Sequence, residues 1–437
     1  MSKSQSRLKA SSLFARIRSA IRNHAEAAWD LAETVAEMAE PAMKEFRSAD
    51  ALTDFLAQRG LDIERPWESL PTAFRATAGT GGPTIALLAE YDALPDCGPK
   101  PGQWGHGCGH NLLGTAAALA GAAAADALAS AAKPGRVIVF GTPAEESMAG
   151  KARMAVLGAF ERLDAVLSWH PWEDTRSNPA GGAAMDSVRF TFRGKTAHAA
   201  ARPHKGRSAL DAVMLMEVAV NFMREHIEDN ARIHCVVTDG GKAPNVVPDR
   251  AALWYYIRGR SREQVDDLRR RVHLCARGAA MATETRCRMR IQDCAPERVP
   301  NEPMALLLDD LLHRFGPPEF TSAETRATRE IIPTASYATE VKPILRKPSA
   351  ASSDEDNVSW FAPLGRVNMA CVPVGAVPHH RTFARLVRTD GARRGMLRAA
   401  EVLAAAAVEL AVNDKLRDEA KADFRKNMKG RTYDLPA

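Results

Sequence analysis

The sequence predicts an α/β protein into which a smaller α+β domain is inserted. In the first 183 residues, apolar strand-like runs alternate with helical periodicity, which is typical of a sheet covered by helices. From about residue 184 the order becomes β-α-β-β-α-β, and from about residue 298 the first pattern resumes. The chain has 437 residues, more than one compact core usually holds. We therefore predict one domain over 1–183 and 298–437, with an inserted domain over 184–297.

The elements of the first domain follow from periodicity and turn residues. One amphipathic helix is expected over 8–40, and a Gly-rich turn at 79–83 joins two strands. An Ala-rich apolar run then predicts a long buried helix. The expected elements after the first helix are strands 73–78 and 84–90, helix 111–132, strand 136–140, a short helix and strand 165–168.

The inserted domain begins with an alternating, half-exposed strand at 188–192. Its remaining predicted elements are helix 206–226, strands 233–237 and 251–257, helix 262–279 and strand 286–291. Beyond it, the sequence predicts strand 367–372 and a long helix over 388–412. The charged residues after that helix are expected to form a further surface helix.

Charge and composition exclude several classes of partner. The net charge is +6, but the basic residues are spread along the chain, and the densest groups, 269–271 and 393–394, lie in helical stretches. Such groups are usually solvated helix faces, so we expect no nucleic-acid partner. The longest apolar run, 112–125, is too short and too weakly apolar to span a bilayer, so we expect no membrane segment.

The cysteines indicate a reducing compartment. There are seven, an odd number, and they are scattered rather than arranged as a disulfide framework. The N-terminus has no apolar stretch followed by a small-residue cleavage site. We therefore expect a cytoplasmic protein.

The strongest local signal is the Gly-rich segment 105–111, which reads Gly-His-Gly-Cys-Gly-His-Asn before the long helix. Glycines let the backbone bend so that neighbouring side chains converge. A thiolate and an imidazole, here Cys108 and His110, suit a zinc-like cation. Taken alone, the segment is also compatible with an ordinary Gly-rich helix start.

Two adjacent carboxylates, Glu145 and Glu146, follow the buried strand 136–140. In an open α/β sheet, functional groups collect at the carboxyl ends of strands. One carboxylate can bind a metal while the other takes a proton from activated water. An exposed acidic loop could also contain two adjacent glutamates. These two residues therefore indicate a metal site only in combination with the other candidate ligands.

Histidines follow two further strands of the same domain: His170 after strand 165–168, and the pair His379-His380 after strand 367–372. A lone histidine is more often structural than a metal ligand. Four candidate groups at strand ends of one domain are much less easily explained by chance. Together they predict a metal centre at one edge of the sheet.

The ordered motifs resemble the M20 metallopeptidase family. They are Ala-Glu-Tyr-Asp-Ala-Leu-Pro at 89–95, the Gly-Cys-Gly-His segment, Thr-Pro-Ala-Glu-Glu at 142–146, Trp-His-Pro at 169–171 and Gly-Lys-Thr-Ala-His-Ala-Ala at 194–200. The resemblance covers about residues 15–415. It is strongest to the amidohydrolase branch, which includes aminobenzoyl-glutamate and indoleacetyl-aspartate hydrolases.

The resemblance implies a zinc-exopeptidase-like catalytic domain with two divalent ions, Zn or Mn. The implied metal ligands are Cys108, His110, Glu146, His170 and His380. It also implies Glu145 as general base, and Asp92 as the carboxylate that orients the metal-site loop. A carboxylate of that kind fixes the tautomer of a ligand histidine.

The inserted domain resembles the family's ferredoxin-like lid and dimerisation domain, which implies a homodimer. Within it, His198 matches a histidine that enters the partner's active site, and Asn245 matches a substrate-binding residue. Arg258 matches an arginine that holds a substrate carboxylate, because a guanidinium fork forms two parallel hydrogen bonds. A strand-end surface arginine is the alternative for Arg258.

Two segments depart from the family pattern. The last ligand segment reads Val-Pro-His-His-Arg-Thr, so His379 is an ambiguous neighbour of His380 and a candidate substrate contact. The family's Ser-rich acidic stretch is altered at 352–360, where the role of 354–357 is open. Both departures put an ordinary peptide substrate in doubt.

These observations predict a metal-dependent hydrolase that cleaves a C–N bond in a small, acidic, aromatic substrate. The bond we favour is the amide between an aromatic or acyl group and an amino acid. One alternative is an aminohydrolase that releases ammonia from an aminobenzoate-type compound in aromatic catabolism. Another is a non-catalytic metal-binding scaffold, although a base retained beside the ligands has no structural need.

Overall fold

The computed structural model describes the backbone of residues 3–435 and the side chains of residues 13–435. Its helices are α1 (Lys3–Asn23), α2 (Ala25–Met38), α3 (Phe46–Ala57), α4 (His110–Ser130), α5 (Gly150–Val156), α6 (Ala209–Met223), α7 (Arg262–Ala282), α8 (Glu302–Phe315), α9 (Ser322–Arg329), α10 (Glu355–Val358), α11 (Arg381–Leu386), α12 (Asp390–Val412) and α13 (Asp414–Met428). Its strands are β1 (Asp62–Glu64), β2 (Phe74–Ala78), β3 (Thr84–Ala89), β4 (Arg136–Gly141), β5 (Ala165–Trp172), β6 (Arg176–Ser177), β7 (Ala184–Arg193), β8 (Arg232–Asp239), β9 (Arg250–Gly259), β10 (Arg286–Ala295) and β11 (Leu364–Ala370).

The described chain falls into two compact units. The first takes the residues up to Ala180, Val299–Lys347 and Val358–Thr432. The second takes Gly181–Arg298, Pro348–Asn357 and the described residues from Tyr433 onward. The sequence predicts 184–297 for the inserted domain, so the second unit also holds Pro348–Asn357, which the prediction places with the flanking domain.

The first unit is built on a mixed seven-stranded sheet with the strand order β1-β2-β4-β3-β5-β11-β6. Its four central strands, β4, β3, β5 and β11, run parallel, while β2 and β6 pair antiparallel at the two sides. Because parallel strands end at the same edge, the segments after these four strands are brought together there. This edge carries the candidate metal centre.

Helix α4 lies in the core of the first unit and packs against α12, α2 and the sheet. It is long and apolar enough to cross a membrane, but 83% of its most apolar stretch is buried inside the protein. Gly121 shows how closely it approaches the sheet, because a Cβ there would lie 2.2 Å from Cγ2 of Val139. Burial of this kind identifies a core helix.

The second unit has a four-stranded antiparallel sheet with the order β10-β7-β9-β8. Helices α6 and α7 share a buried apolar cluster with that sheet, which includes Val213, Leu253 and Val272. The chain order is β7-α6-β8-β9-α7-β10, so the predicted ferredoxin-like arrangement is present. The predicted fold class, α/β with an additional α+β domain, is confirmed.

Some element bounds differ from the prediction. The single helix expected over 8–40 is two helices, because His24 has φ −109° and ψ 8°, which ends the α-helical ladder. No glycine or proline marks that break in the sequence. Strand β5 continues to Trp172, so His170 lies within the strand rather than after it. The short edge strand β1 was not predicted.

Candidate metal centre

The loop before α4 brings Cys108 and His110 together through Gly109. Gly109 has φ +83°, and a Cβ there would lie 2.6 Å from Cγ of Pro171. A residue with a side chain would therefore be strained in conformation and would collide with the end of β5. The glycine allows both ligand side chains to meet at the edge of the sheet.

Asp92 holds His110 and the acidic loop in one arrangement. Its Oδ1 lies 3.0 Å from His110 Nδ1, and its Oδ2 accepts a hydrogen bond from the backbone N–H of Glu146 at 2.9 Å. A proton on Nδ1 leaves Nε2 of His110 with its lone pair available. Burial works against a charged imidazole, but the bonds to Asp92 and Cys108 raise the pKa of His110 well above its ordinary value, so a cation binding at Nε2 would displace a proton.

His170 is oriented in the same way by a different acceptor. Its Nδ1 donates to the carbonyl oxygen of Pro171 at 2.8 Å, and its Nε2 lies 3.4 Å from Sγ of Cys108. Burial and the positive charge of Arg366 lower the pKa of His170 to about 3. A neutral imidazole with a free Nε2 lone pair is the form that binds metal.

Glu145 and Glu146 face His110 from the loop after β4. Their nearest carboxylate oxygens lie 3.9 Å and 4.0 Å from His110 Nε2. Burial and the nearby carboxylate of Glu90 raise the pKa of Glu145. Burial and the nearby carboxylate of Glu145 raise the pKa of Glu146 well above its ordinary value. The Glu145 side chain is 13% exposed, so solvent reaches it.

The structure brings His379 to this cluster and leaves His380 outside it. The backbone N–H of His379 donates to the carbonyl of Gly107 at 2.8 Å, and its Nε2 lies 3.6 Å from Oε2 of Glu146. His380 is exposed and caps α11, with its Nδ1 accepting from the N–H of Thr382 at 3.1 Å. The imidazole that lies beside Glu146 is thus that of His379, although its side chain is 60% exposed.

Two residues of the cluster received no role from the sequence. Oε2 of Glu90 lies 3.4 Å from His110 Nε2, and its Oε1 lies 2.8 Å from Nζ of Lys151. Both side chains are almost fully buried. Glu90 directly follows the buried strand β3, which is the signal that singled out Glu145. Lys151 shows no such signal, because a lysine on a short helix usually lies at the surface.

The donor set fits divalent cations. Three groups hold ligand atoms within 4.8 Å of one another: Cys108, His110 and His170; Cys108, Glu146 and His379; Glu90, His110 and Glu145. Nε2 of His110 and Oε1 of Glu146 are buried and, among the described residues, have no hydrogen-bond partner. Buried polar atoms are normally satisfied. A bound cation would satisfy both atoms and offset the clustered negative charge.

The remaining predicted site residues lie in the second unit. His198 and Asn245 are exposed and occupy neighbouring loops, where the N–H of Ala199 donates to the carbonyl of Asn245 at 2.9 Å. Arg258 is half-buried on β9, and its Nη1 donates to Oγ of Ser352 at 3.0 Å. It is the second-last residue of β9 and is partly exposed.

Comparisons with known proteins show what this chain is similar to. Residues 184–283 match a family model described as a peptidase dimerisation domain. The chain is 34% identical to one of the subunits of the p-aminobenzoyl-glutamate hydrolase of Escherichia coli (strain K12), over 93% of this chain and 94% of that protein. It is 32% identical to the Xaa-Arg dipeptidase of Mus musculus, over 83% of this chain and 79% of the relative.

Solved structures share the fold. An aminobenzoyl-glutamate utilization protein from Klebsiella pneumoniae superposes with a TM-score of 0.62 at 19% identity, covering 90% of this chain and 97% of that one. A Bacillus subtilis dinuclear metal-binding peptidase from the M20 family also gives 0.62, at 17% identity, covering 89% and 99%. With a relative at 34% identity over nearly its full length, this chain belongs to the M20 family of metal-dependent hydrolases, which act on amide bonds.

Proposed function

We propose that this hydrolase cleaves the amide bond between an aromatic or other acyl group and an acidic amino acid, with Glu145 as general base. The observation that supports it most is the position of Glu145. Its carboxylate lies 3.9 Å from the metal-facing nitrogen of His110 and is partly open to solvent. A general base must be within reach of the water it deprotonates, and this one is.

The chemistry follows from the donor set. Two divalent ions held by Cys108, His110, Glu146, His170 and His379 would lower the pKa of a water molecule and polarise the amide carbonyl. Glu145 takes the proton from the attacking water as the new C–O bond forms. It then delivers that proton to the leaving nitrogen, and the C–N bond breaks to give a carboxylic acid and an amine.

His198 is our proposed stabiliser of the oxygen that becomes negative during attack. Its Nδ1 accepts hydrogen bonds from the N–H groups of Ala200 and Ala201 at 3.3 Å and 3.2 Å. The neutral ring therefore carries its proton on Nε2, where it can be donated. Following the family resemblance, we place this histidine in the active site of a second copy, where a positioned donor stabilises developing charge.

The substrate class rests on Arg258 and on the relatives. The guanidinium of Arg258 is half-buried and fixed by Ser352, and its planar fork matches a carboxylate. The names of two relatives indicate different substrates, since one is named for aminobenzoyl-glutamate and the other for dipeptides with arginine. Both names describe an amide bond to an amino acid. The arginine favours the acidic substrate, with Asn245 as a further contact.

We also propose a metal, a compartment and a pathway for this enzyme. The thiolate of Cys108 favours zinc, whereas the carboxylates and imidazoles also accept manganese. We place the enzyme in the cytoplasm because its seven cysteines are scattered and odd in number, which is typical of a reducing compartment. A role in catabolism of aromatic compounds fits an aromatic acyl group.

The proposed function is tested by measuring metal content and hydrolysis in the same metal-replete sample. We expect about two ions per chain, as in a two-metal site, and release of glutamate from p-aminobenzoyl-glutamate at a far higher rate than cleavage of Xaa-Arg dipeptides. Ammonia release from aminobenzoates, without amide cleavage, would support the aminohydrolase instead. Bound metal without turnover of the amides or the aminobenzoates would support the non-catalytic metal-binding scaffold.

We also propose that the second unit pairs with a second copy through α6 and β8. The outer face of α6 exposes Met214, Val218 and Phe222 at intervals of four residues, with Phe222 74% exposed. Strand β8 lies at the edge of its sheet and exposes Val236 and Val237. An apolar face beside a sheet edge is typical of an interface, and the family match for this region is a dimerisation domain.

Phe222→Glu is expected to convert the dimer to a monomer, because a charge buried in an apolar interface loses its solvation. Met281→Glu is the matched control, since Met281 is 78% exposed on α7 of the same unit. Light scattering after size exclusion should give a dimer mass for the native protein and the control. A dimer that persists in the Phe222 variant would contradict the proposed surface.

A further inference from the structure

Glu45 is a buried carboxyl group that neither the family motifs nor the proposed chemistry uses. It lies just before α3, at the end of a short segment, residues 39–45, that connects α2 to α3, and its relative exposure is 0%. A fully buried acid is costly unless its oxygen atoms accept hydrogen bonds. Among the described residues Oε2 of Glu45 has no hydrogen-bond partner, so the partners of Oε1 indicate what the group does.

One of those partners lies 99 residues away. Oε1 of Glu45 accepts the backbone N–H of Met43 at 2.9 Å and that of Ala144, also at 2.9 Å. Ala144 directly precedes Glu145, the proposed general base. The same 39–45 segment contacts the Asp92 loop, where the N–H of Ala93 donates to the carbonyl of Glu40 at 2.9 Å. The segment thus joins both loops that carry the acids of the metal centre.

Ala144 has a backbone conformation that needs support. Its φ is +61°, in the left-handed region that residues with a side chain seldom occupy. Its carbonyl accepts from Ser147 Oγ and from the N–H of Ala149, each at 3.2 Å. The residue itself is fully buried. Without Glu45, the N–H of Ala144 would lose its acceptor in a place that water does not reach, and the strained conformation would lose its anchor.

We propose that Glu45 is a positioning residue for the general base: by accepting the N–H of Ala144 it holds that residue at positive φ, and so aims Glu145 into the metal centre. This inference rests on the proposed role of Glu145. Glu45 acts through the backbone, because its Oε1 accepts from the N–H groups of Met43 and Ala144.

The role needs a hydrogen-bond acceptor and not a negative charge. Burial and the nearby charge of Asp92 raise the pKa of Glu45 to about 7, so its protonated form is accessible at neutral pH. A protonated carboxyl group, like a glutamine amide, still offers a carbonyl oxygen to both N–H groups. This separates the positioning role from an electrostatic one.

The test compares Glu45→Met with Glu45→Gln. Methionine fills the same space without an acceptor, and we expect kcat to fall by about 100-fold, the size of effect that a misplacement of about 1 Å produces. KM and metal content should stay as in the native protein. Glutamine retains the acceptor, so Glu45→Gln should keep kcat within about threefold, since the backbone bonds are kept. Equal losses in both variants, or no loss in either, would overturn the proposal.

A second measurement is independent of turnover. Hydrogen–deuterium exchange of the peptide covering 142–149 should be faster in Glu45→Met than in Glu45→Gln, because only the former loses the anchor. If native protein hydrolyses no amide, the proposed function fails, yet this exchange comparison still decides the role of Glu45. If Glu45→Met does not fold, Glu45→Asp replaces it: the shorter side chain withdraws the acceptor, and native kcat and exchange would refute the inference.

Discussion

Glu145→Gln is expected to lower kcat by about 10²–10⁴-fold while leaving the metal bound, the range that loss of a general base produces. Glutamine has nearly the shape of glutamate but cannot take a proton from water. The side chain lies 3.9 Å from His110 Nε2 and is 13% exposed, so it is close to the metal centre yet reachable by solvent. Removing its charge should change proton transfer far more than folding.

The matched control is Glu146→Gln, at the adjacent position. Oε1 of Glu146 is buried and, within the described residues, has no hydrogen-bond partner, as expected of a metal ligand. This variant should lose metal as well as activity, whereas Glu145→Gln should lose activity only. Metal analysis beside single-turnover kinetics separates the two residues. Near-native turnover in the Glu145 variant would remove it from the role of base.

Much of the fold is predictable because its signals are local. The buried strands β3 and β4 and the apolar helix α4 each show a continuous apolar run in the sequence. The second unit alternates strands and helices cleanly enough to give its β-α-β-β-α-β order. The break at His24 is not predictable from the sequence, because no glycine or proline marks it. Local helix propensity does not determine where the hydrogen bonds of such a helix end.

The metal centre is predictable where its residues form a short motif or follow a buried strand. Cys108, Gly109 and His110 are contiguous, so their types and spacing already indicate ligands and the bend between them. Glu45 has no such signal, because its partner Ala144 lies 99 residues away and the contact is made to a backbone N–H. Any residue can offer that N–H, so no residue type in the sequence marks the partner.

The sequence likewise does not determine which of His379 and His380 lies at the metal centre. Neighbouring histidines give identical sequence signals, and the structure separates them through backbone geometry. His379 has φ +58° and its N–H bonds to the carbonyl of Gly107, in the loop that carries Cys108. His380 has φ −131° and ψ 147°, the extended conformation of a helix N-cap, and its ring accepts from Thr382. The fold thus turns one ring toward Glu146 and the other toward α11.

His379→Ala should therefore lower metal affinity by at least about 100-fold, since even residues that only orient a metal ligand contribute 10–100-fold. His380→Ala should keep native affinity and lose only the N-cap of α11, which costs about 1 kcal/mol of stability. Titration of the metal-free protein with Zn²⁺ or Mn²⁺, followed by calorimetry, measures both quantities. The reverse result, with metal lost in the His380 variant, would restore His380 as the ligand and require the 377–381 loop to rearrange when the ions bind. Because the two substitutions are adjacent and chemically identical, any difference between them reports on the position of the ring and not on the loss of an imidazole.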